Sequence, residues 1–405
     1  IVAKLPLATS RCGSAADSGS GKPFIWLPIT RPRLRHIRLV AHVVHRVLLA
    51  RGTALSSSTG LGRAHAAVAS ILERALVSDW TKAGEIDHAQ RLSGWSRLST
   101  RWWKHPSGIS DKAASTDADL LHITDQEQAH LVPKNSPIPV IVTVHDLFHL
   151  SPRKIKSAEG EITVGDMSPG IIRKMDLSKL RAGLARADLL ICISEMTQRE
   201  VKREFPGIPT ALVRHQVDVD YWNPESNPQP RELLTNYGDD DSKILLLTVG
   251  SNEPRKRLDF VEEILDGLPA KISDDINIIH VGSEVKLSDE ELAAAFQHAE
   301  ALLFPSISEG FGYPPAEAMA AGCPVLAADK SAHNEIIPTR CLVPSNEIRA
   351  WCDAIESIHA EWVRAGRVER IPDDELIEYV KKNLSPKAQG KSLAVAYNLA
   401  IGEDI

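Results

Sequence analysis

In the stretch SISEGFGYPPAEAMAAGCPVLAADKS, Ser306 to Ser331, two carboxylates are placed to do chemistry: Glu309 and Glu317, eight positions apart. On one helix that spacing would leave them roughly 80° apart. Pro314 and Pro315, however, are tolerated only in a helix's first turn, so Glu309 falls in a loop and Glu317 near the N-terminus of a helix that starts around Pro315. Gly310 and Gly312 let that loop adopt positive φ and bring backbone N–H groups close to a ligand, while free N–H groups of the helix point at the same place. This suits a phosphate or diphosphate. Carboxylates are poor partners for phosphate and good acceptors for sugar hydroxyls, so the implied ligand is a nucleotide joined to a sugar. The same residues also have a plain reading, in which Glu317 is a first-turn acid favoured by the helix dipole, Glu309 a solvated loop charge and the glycines turn residues.

The elements that must position these groups are legible as short apolar runs: ADLLHIT, IPVIVTVHD, ADLLICIS, TALVRH, KILLLTVG, INIIHVG, EALLFPS and CPVLAAD. Runs apolar on both faces are expected of a covered parallel sheet. Segments such as KRLDFVEEILDGL, with Leu258, Val261, Ile264, Leu265 and Leu268 at helical spacing, lie between them. The alternation predicts an α/β chain of two doubly wound, Rossmann-like blocks. Pro224, Pro228 and Pro230 crowd a polar stretch that ends the first block. The expected division is an atypical N-terminal segment at 1–35, a first domain at 36–222, a second at 223–385 and a C-terminal helix at 386–405 that packs back on the first.

In such sheets ligands bind beyond the carboxyl ends of the strands. After ILLLTV comes GSNEPRKRLDF, which sets Arg255 and Lys256 where they could clamp phosphate oxygens, with Ser251 beside them. After PVIVTV come His145 and Asp146, and STGLGR is a Gly-rich turn opening a helix at Gly60 and Gly62. Taken singly these are solvated loop charges, a hydrogen-bonded core histidine and a tight turn. Together they mark strand-end loops of one site.

A chain of 405 residues is longer than one core sustains, which favours two domains. Its five cysteines form no C-x-x-C pair and read as reduced core residues of a cytoplasmic protein, without disulfides or a zinc site. The apolar stretch IRLVAHVVHRVLLA is broken by Arg38, His42, His45 and Arg46 and is too short to span a bilayer. The net charge of −6 hides an asymmetry: residues 1–225 hold 30 Lys and Arg against 22 Asp and Glu, the remainder 17 against 31. The basic first half suits a solvated face or a peripheral contact with an anionic membrane surface. No aromatic-interleaved basic patch speaks for nucleic acid. Asp239, Asp240 and Asp241 read as a solvated loop, and no required metal or cofactor is expected.

The loops VGSNEPRKRLDF, SISEGFGYPPAEAMAAGCPVLAAD, VTVHDL, ADLLICISEMTQREV and STGLGR resemble, across roughly residues 55–400, the retaining glycosyltransferases of the GT-B fold, family 4. The resemblance implies two Rossmann-like domains facing a cleft, a nucleotide-sugar donor held mainly by the second and a glycan, lipid-linked or small-molecule acceptor by the first. Carried over by position, Glu317 accepts from the ribose hydroxyls and Glu309 approaches the transferred sugar. Gly310, Phe311 and Gly312 hold sugar and diphosphate, and Lys256 with Arg255 neutralises the departing diphosphate. His145 contacts the donor sugar, and Gly60 and Gly62 line the diphosphate from the other side.

Three departures stand out. Ser251 occupies a position where the family often has Arg, His215-Gln216 replaces a common Asn-Gly, and the first 50 residues do not show the usual strand leading promptly into the Gly loop. Rival readings are a GT-B binding or scaffold protein without turnover, and an epimerase or phosphorylase on the same architecture. A dinucleotide dehydrogenase ranks lower, because no strand is followed by G-x-G-x-x-G with an acid about 20 residues on.

Overall fold

The computed structural model describes residues 43–56, 59–88, 93–158, 160–282 and 285–403. The expected segment 1–35 and Cys12 lie outside the described residues.

Two parallel sheets carry the described chain. The first holds β1 (His45–Thr53), β2 (Trp80–His88), β3 (Leu120–Ile123), β4 (Val140–Val144), β7 (Leu189–Cys192) and β8 (Thr210–Leu212) in the order β2-β1-β3-β4-β7-β8. A hairpin of β5 (Arg153–Ser157) and β6 (Gly160–Val164) stands apart from it. The second sheet, ordered β10-β9-β11-β12-β13, comprises β9 (Ile244–Gly250), β10 (Ile276–Gly282), β11 (Ala301–Phe304), β12 (Val325–Ala328) and β13 (Leu342–Val343). Every pairing within the two sheets is parallel. Apolar cores cover both faces of each sheet, which is why β3, β4, β7 and β11 are buried at every position.

Both sheets reverse strand order beside their first strand, between β1 and β3 and between β9 and β11. At such switch points neighbouring strand-end loops diverge and open a crevice. The loops concerned are those of Gly60, of Arg255 and Lys256, and of Glu309.

β1 corrects the reading of the N-terminal region. The usual opening strand is present: HRVLLARGT pairs with both β2 and β3 and leads within seven residues to the helix Gly60–Glu73. Its basic flanks hid a buried central strand. β2 has a half-exposed alternating pattern because it is an edge strand paired only with β1.

Val217, Val219 and Trp222 already pack in the core of the second sheet, ahead of the boundary read at 223. At the other end, Leu393, Ala394, Ala396 and Tyr397 of the helix Pro386–Ile401 join the core of the first sheet. The two crossings lie side by side, and the Val217 N–H donates to the Leu384 carbonyl at 2.7 Å. Tyr397 hydrogen-bonds the fully buried His122 of β3 at 2.8 Å, and Trp80 donates to Asn398 at 2.7 Å.

Candidate active site

A cavity of about 780 Å³ opens where the strand-end loops of the two sheets meet. Its lining includes Gly60, Arg63, His145, His215, Ser251, Arg255, Lys256, Glu309, Gly310, Phe311, Gly312, Tyr313 and Glu317. Each sequence-predicted site residue except Gly62 lines this cavity.

Glu309 is the most tightly held group. Its Oε1 accepts from Lys256 Nζ at 2.5 Å and Ser306 Oγ at 2.6 Å, and its Oε2 accepts from Arg255 Nη1 at 3.1 Å. Burial alone would raise this carboxyl, but Lys256 and Arg255 prevail and hold it down at about 2. Arg255 reaches Glu309 because Pro254–Lys256 forms a single 3₁₀ turn; the helix itself begins only at Leu258, past a left-handed Arg257. Ser251 does not face the cavity as a free hydroxyl: its Oγ donates to Glu253, which also takes two bonds from Arg255. Glu253 was given no role from the sequence, although it is itself the Glu of the E-P-R-K pattern.

Glu317 lies in the helix Tyr313–Ala320 and is bonded to Arg63 of the first sheet's leading helix. Burial raises its carboxyl and Arg63 opposes that rise. Arg63, which closes the Gly-rich turn STGLGR beside Gly60 and Gly62 but was given no role from the sequence, also lies 5.9 Å from the ring centroids of Trp222 and Tyr313.

The glycines divide their duties. A Cβ on Gly310 would fall 2.3 Å from the His145 carbonyl oxygen, so its need is close approach between loops of the two sheets, not the positive φ expected of it. Gly312 does carry φ +107°. Gly62 serves its own loop: a Cβ there would sit 2.1 Å from the Ser56 carbonyl, and its N–H is taken by the Thr59 cap at 3.1 Å.

His145 is committed to protein partners. Its Nε2 lies 2.9 Å from the Thr124 carbonyl, which can only accept, so that nitrogen carries a proton. In a neutral ring Nδ1 then accepts from His215 Nε2, 3.0 Å away, which leaves His215 Nδ1 as a buried acceptor without a partner. Burial, then His145, keeps the His215 ring well below the usual histidine range. His215 stacks on His145 and on Tyr313, with ring centroids 5.0 and 5.2 Å apart. The unusual His215 thus ties loops of both sheets into one aromatic column.

Among the described residues no group of three or more His, Cys, Asp or Glu side chains is placed to hold a metal ion. Asp239 is taken by Arg231 and Asp240 by the Ser242 turn. No described helix is long and apolar enough to cross a membrane.

Two facing Rossmann-like sheets with a cavity at their switch points, here lined by the charged Arg63, Arg255, Lys256, Glu309 and Glu317, define the GT-B class of glycosyltransferase folds. The sequence pattern described as Glycosyltransferase Family 4 matches residues 81–221, and that of Glycosyl transferases group 1 matches residues 233–361. The chain belongs to this family-4, group 1 type of GT-B glycosyltransferases. It is similar to the O-antigen chain mannosyltransferase RfbU of Salmonella typhimurium, 35% identical over 89 residues that cover 22% of this chain and 24% of that protein. It is 24% identical over 311 residues to the serotype-specific mannosyltransferase WbdA of Escherichia coli, covering 69% of this chain and 35% of WbdA. The chain therefore spans about a third or less of the length of these relatives. The fold matches sucrose-phosphate synthase from Thermosynechococcus elongatus with a TM-score of 0.62 at 16% identity, covering 88% and 99% of the two chains.

Proposed function

We propose that the chain transfers a hexosyl group, with retention of anomeric configuration, from a nucleotide-sugar in this cavity to a hydroxyl of a glycan, a lipid-linked sugar or a small molecule. The observation that carries this reading is the meeting of Lys256, Arg255 and Glu309 with the Gly60 helix start and Glu317 around one cavity. The names of the relatives favour mannose as the hexose and a cell-surface polysaccharide or glycolipid as the product. A peripheral contact with an anionic membrane belongs to the same reading.

The donor's ribose hydroxyls take the place of Arg63 on Glu317. The diphosphate takes over Arg255 from Glu253, the half-exposed and therefore more weakly held of its two carboxylate partners. Lys256 and Arg255 then face the charge that grows on the leaving diphosphate, aided by the free N–H groups where the Gly60 helix starts. These cations supply the neutralisation that a divalent ion would otherwise give. Glu309, pinned by its three donors, orients the transferred sugar, and His145 walls the same end of the cavity.

A panel of UDP-, GDP- and ADP-hexoses tests this by thermal shift and by mass spectrometry of products. A donor of the right kind raises the melting temperature, because it binds only the native state. Absence of any shift and of any transfer or hydrolysis across the panel would refute the reading. It would leave the second one, a binding protein without turnover, which the occupation of Glu317 by Arg63 favours.

A further inference from the structure

We propose that Glu335 is a positioning residue for the transfer reaction: through the short segment 331–335 it ties the backbone of Glu309 to a helix on the first sheet's side of the cavity. Its kinetic meaning rests on Glu309 orienting the transferred sugar, as proposed above.

The segment follows β12 and folds into a single 3₁₀ turn, Ala332–Glu335. It enters that turn through Ser331 at φ +76° and ψ −175°. That region is nearly confined to glycine, and another residue stays in it only where the surroundings impose it. The surroundings here are both backbone groups of Glu309. Ser331 Oγ accepts from the Glu309 N–H at 2.6 Å and donates to the Glu309 carbonyl at 3.1 Å. In the middle of the segment His333 is fully buried, its Nε2 donating to the Ala328 carbonyl at 2.7 Å. It backs directly on the sugar-facing loop, since a Cβ on Gly312 would fall 2.8 Å from the His333 Cβ.

The far end of the segment crosses to the other sheet. The Glu335 carboxylate sits on the N-terminus of the helix Glu195–Glu204, with Oε2 accepting from the Glu195 N–H at 2.6 Å and Oε1 from the Met196 N–H at 2.8 Å. The helix's own cap, Ser194, serves only the Thr197 N–H, so Glu335 takes up donors that the first turn leaves free. A carboxylate there also meets the positive end of the helix dipole and makes charge-assisted bonds. Arg214, 3.7 Å from Glu335 and 3.4 Å from Glu195, offsets their charge. Met196 meets both ends of the segment, because its Sδ lies 4.0 Å from Ser331 Oγ. The same helix start reaches the cavity directly, through Thr197 Oγ1 donating to the His145 carbonyl at 3.4 Å. Bonded at both ends and packed in the middle, the segment passes a shift at either end to the other through contiguous contacts.

The first test needs no donor. In Glu335→Ala, amide hydrogen exchange read by mass spectrometry should quicken at 195–196, where bonds are lost, and also at 309–312, which Glu335 does not touch. Unchanged exchange at 309–312 overturns the proposal and leaves Glu335 as a helix cap. The second test uses whichever of the UDP-, GDP- and ADP-hexoses is turned over. Glu335→Ala should lower kcat by up to about a hundredfold, the scale of a small misplacement at the reacting centre, while the calorimetric affinity for that donor stays near the parent's, since Lys256, Arg255 and Glu317 keep their places. Ser331→Ala removes only the hydroxyl and should lower kcat likewise. The double variant should lose no more than the worse single one, because both cut the same strap; losses that add overturn the proposal. Glu335→Gln leaves one oxygen for one of the two N–H groups and should fall between parent and alanine in both tests, which keeps them decisive if the alanine variant does not fold. Normal kcat in a folded Glu335→Ala overturns the positioning role and spares the transferase reading, whereas a parent that turns over no donor overturns the transferase reading itself.

Discussion

Replacing Lys256 by Met separates a working cation from a structural one. Met keeps the apolar stem that sits against Phe304, where the ammonium lies 5.4 Å from the ring centroid, and removes only the charge. Glu309 then keeps Arg255 and Ser306 as donors but loses its 2.5 Å bond. Removing one partner of a buried pair costs about 3 to 5 kcal/mol; with two donors left, the loss should fall near the lower end, about 3 kcal/mol in urea denaturation at pH 7. The pH dependence follows from the carboxyl. In the native protein it is depressed to about 2, so the stabilisation it contributes is complete above the ordinary glutamate value of 4.5 and is lost as pH falls from there toward 2. In the variant the depression shrinks, and with it the stability difference between pH 6 and pH 3. If the ammonium also faces the leaving diphosphate, kcat falls about 10²- to 10³-fold. Donor affinity falls as well, read by calorimetry with the nucleotide-sugar. A folded variant that loses stability yet keeps kcat and donor affinity would refute the catalytic assignment and leave Lys256 as a partner of Glu309 alone.

Further outcomes follow from the same geometry. Glu317→Ala should weaken donor binding about ten- to a hundredfold, the loss of a charge-assisted hydrogen bond, whereas Glu309→Ala should lower kcat more than affinity; unchanged kinetics in both would remove the site assignment. Gly310→Ala places a Cβ 2.3 Å from the His145 carbonyl and should cost about 1 to 3 kcal/mol together with activity, checked by thermal melts beside Gly60→Ala, where the nearest atom is 3.9 Å away. Burial lowers His122 to about 3, so its contribution is full above the ordinary histidine value of 6.5 and is lost as pH falls below it; between pH 6.5 and 5 that is about 2 kcal/mol, a slope that His122→Gln should flatten in urea titrations. Transfer should persist in EDTA, because Arg255 and Lys256 supply the positive charge; loss restored by magnesium would contradict this.

Much of this protein is determined by local sequence. Strands apolar on both faces must be covered on both faces, so runs such as ILLLTV and PVIVTV announced buried parallel strands without any tertiary information. Glycine and proline restrict the backbone by themselves, which is why the loop from Ser306 to Pro315 could be read as a loop running into a helix start. What only the tertiary structure decided are the partners. Nothing in the chain says that Arg63 lies on Glu317, 254 positions away, or that Gly310 is a glycine because the His145 carbonyl crosses in front of it. β1 escaped notice because basic residues flank a strand whose burial comes from neighbours at positions 80–88 and 120–123. His145 read either as a hydrogen-bonded core histidine or as a contact to the donor sugar, and only the folded chain shows the Thr124 carbonyl and His215 claiming both its nitrogens. Hydrogen-bond and charge complementarity are made between distant segments, whereas backbone restriction and apolar periodicity act within a few residues, and only the latter can be read along one chain.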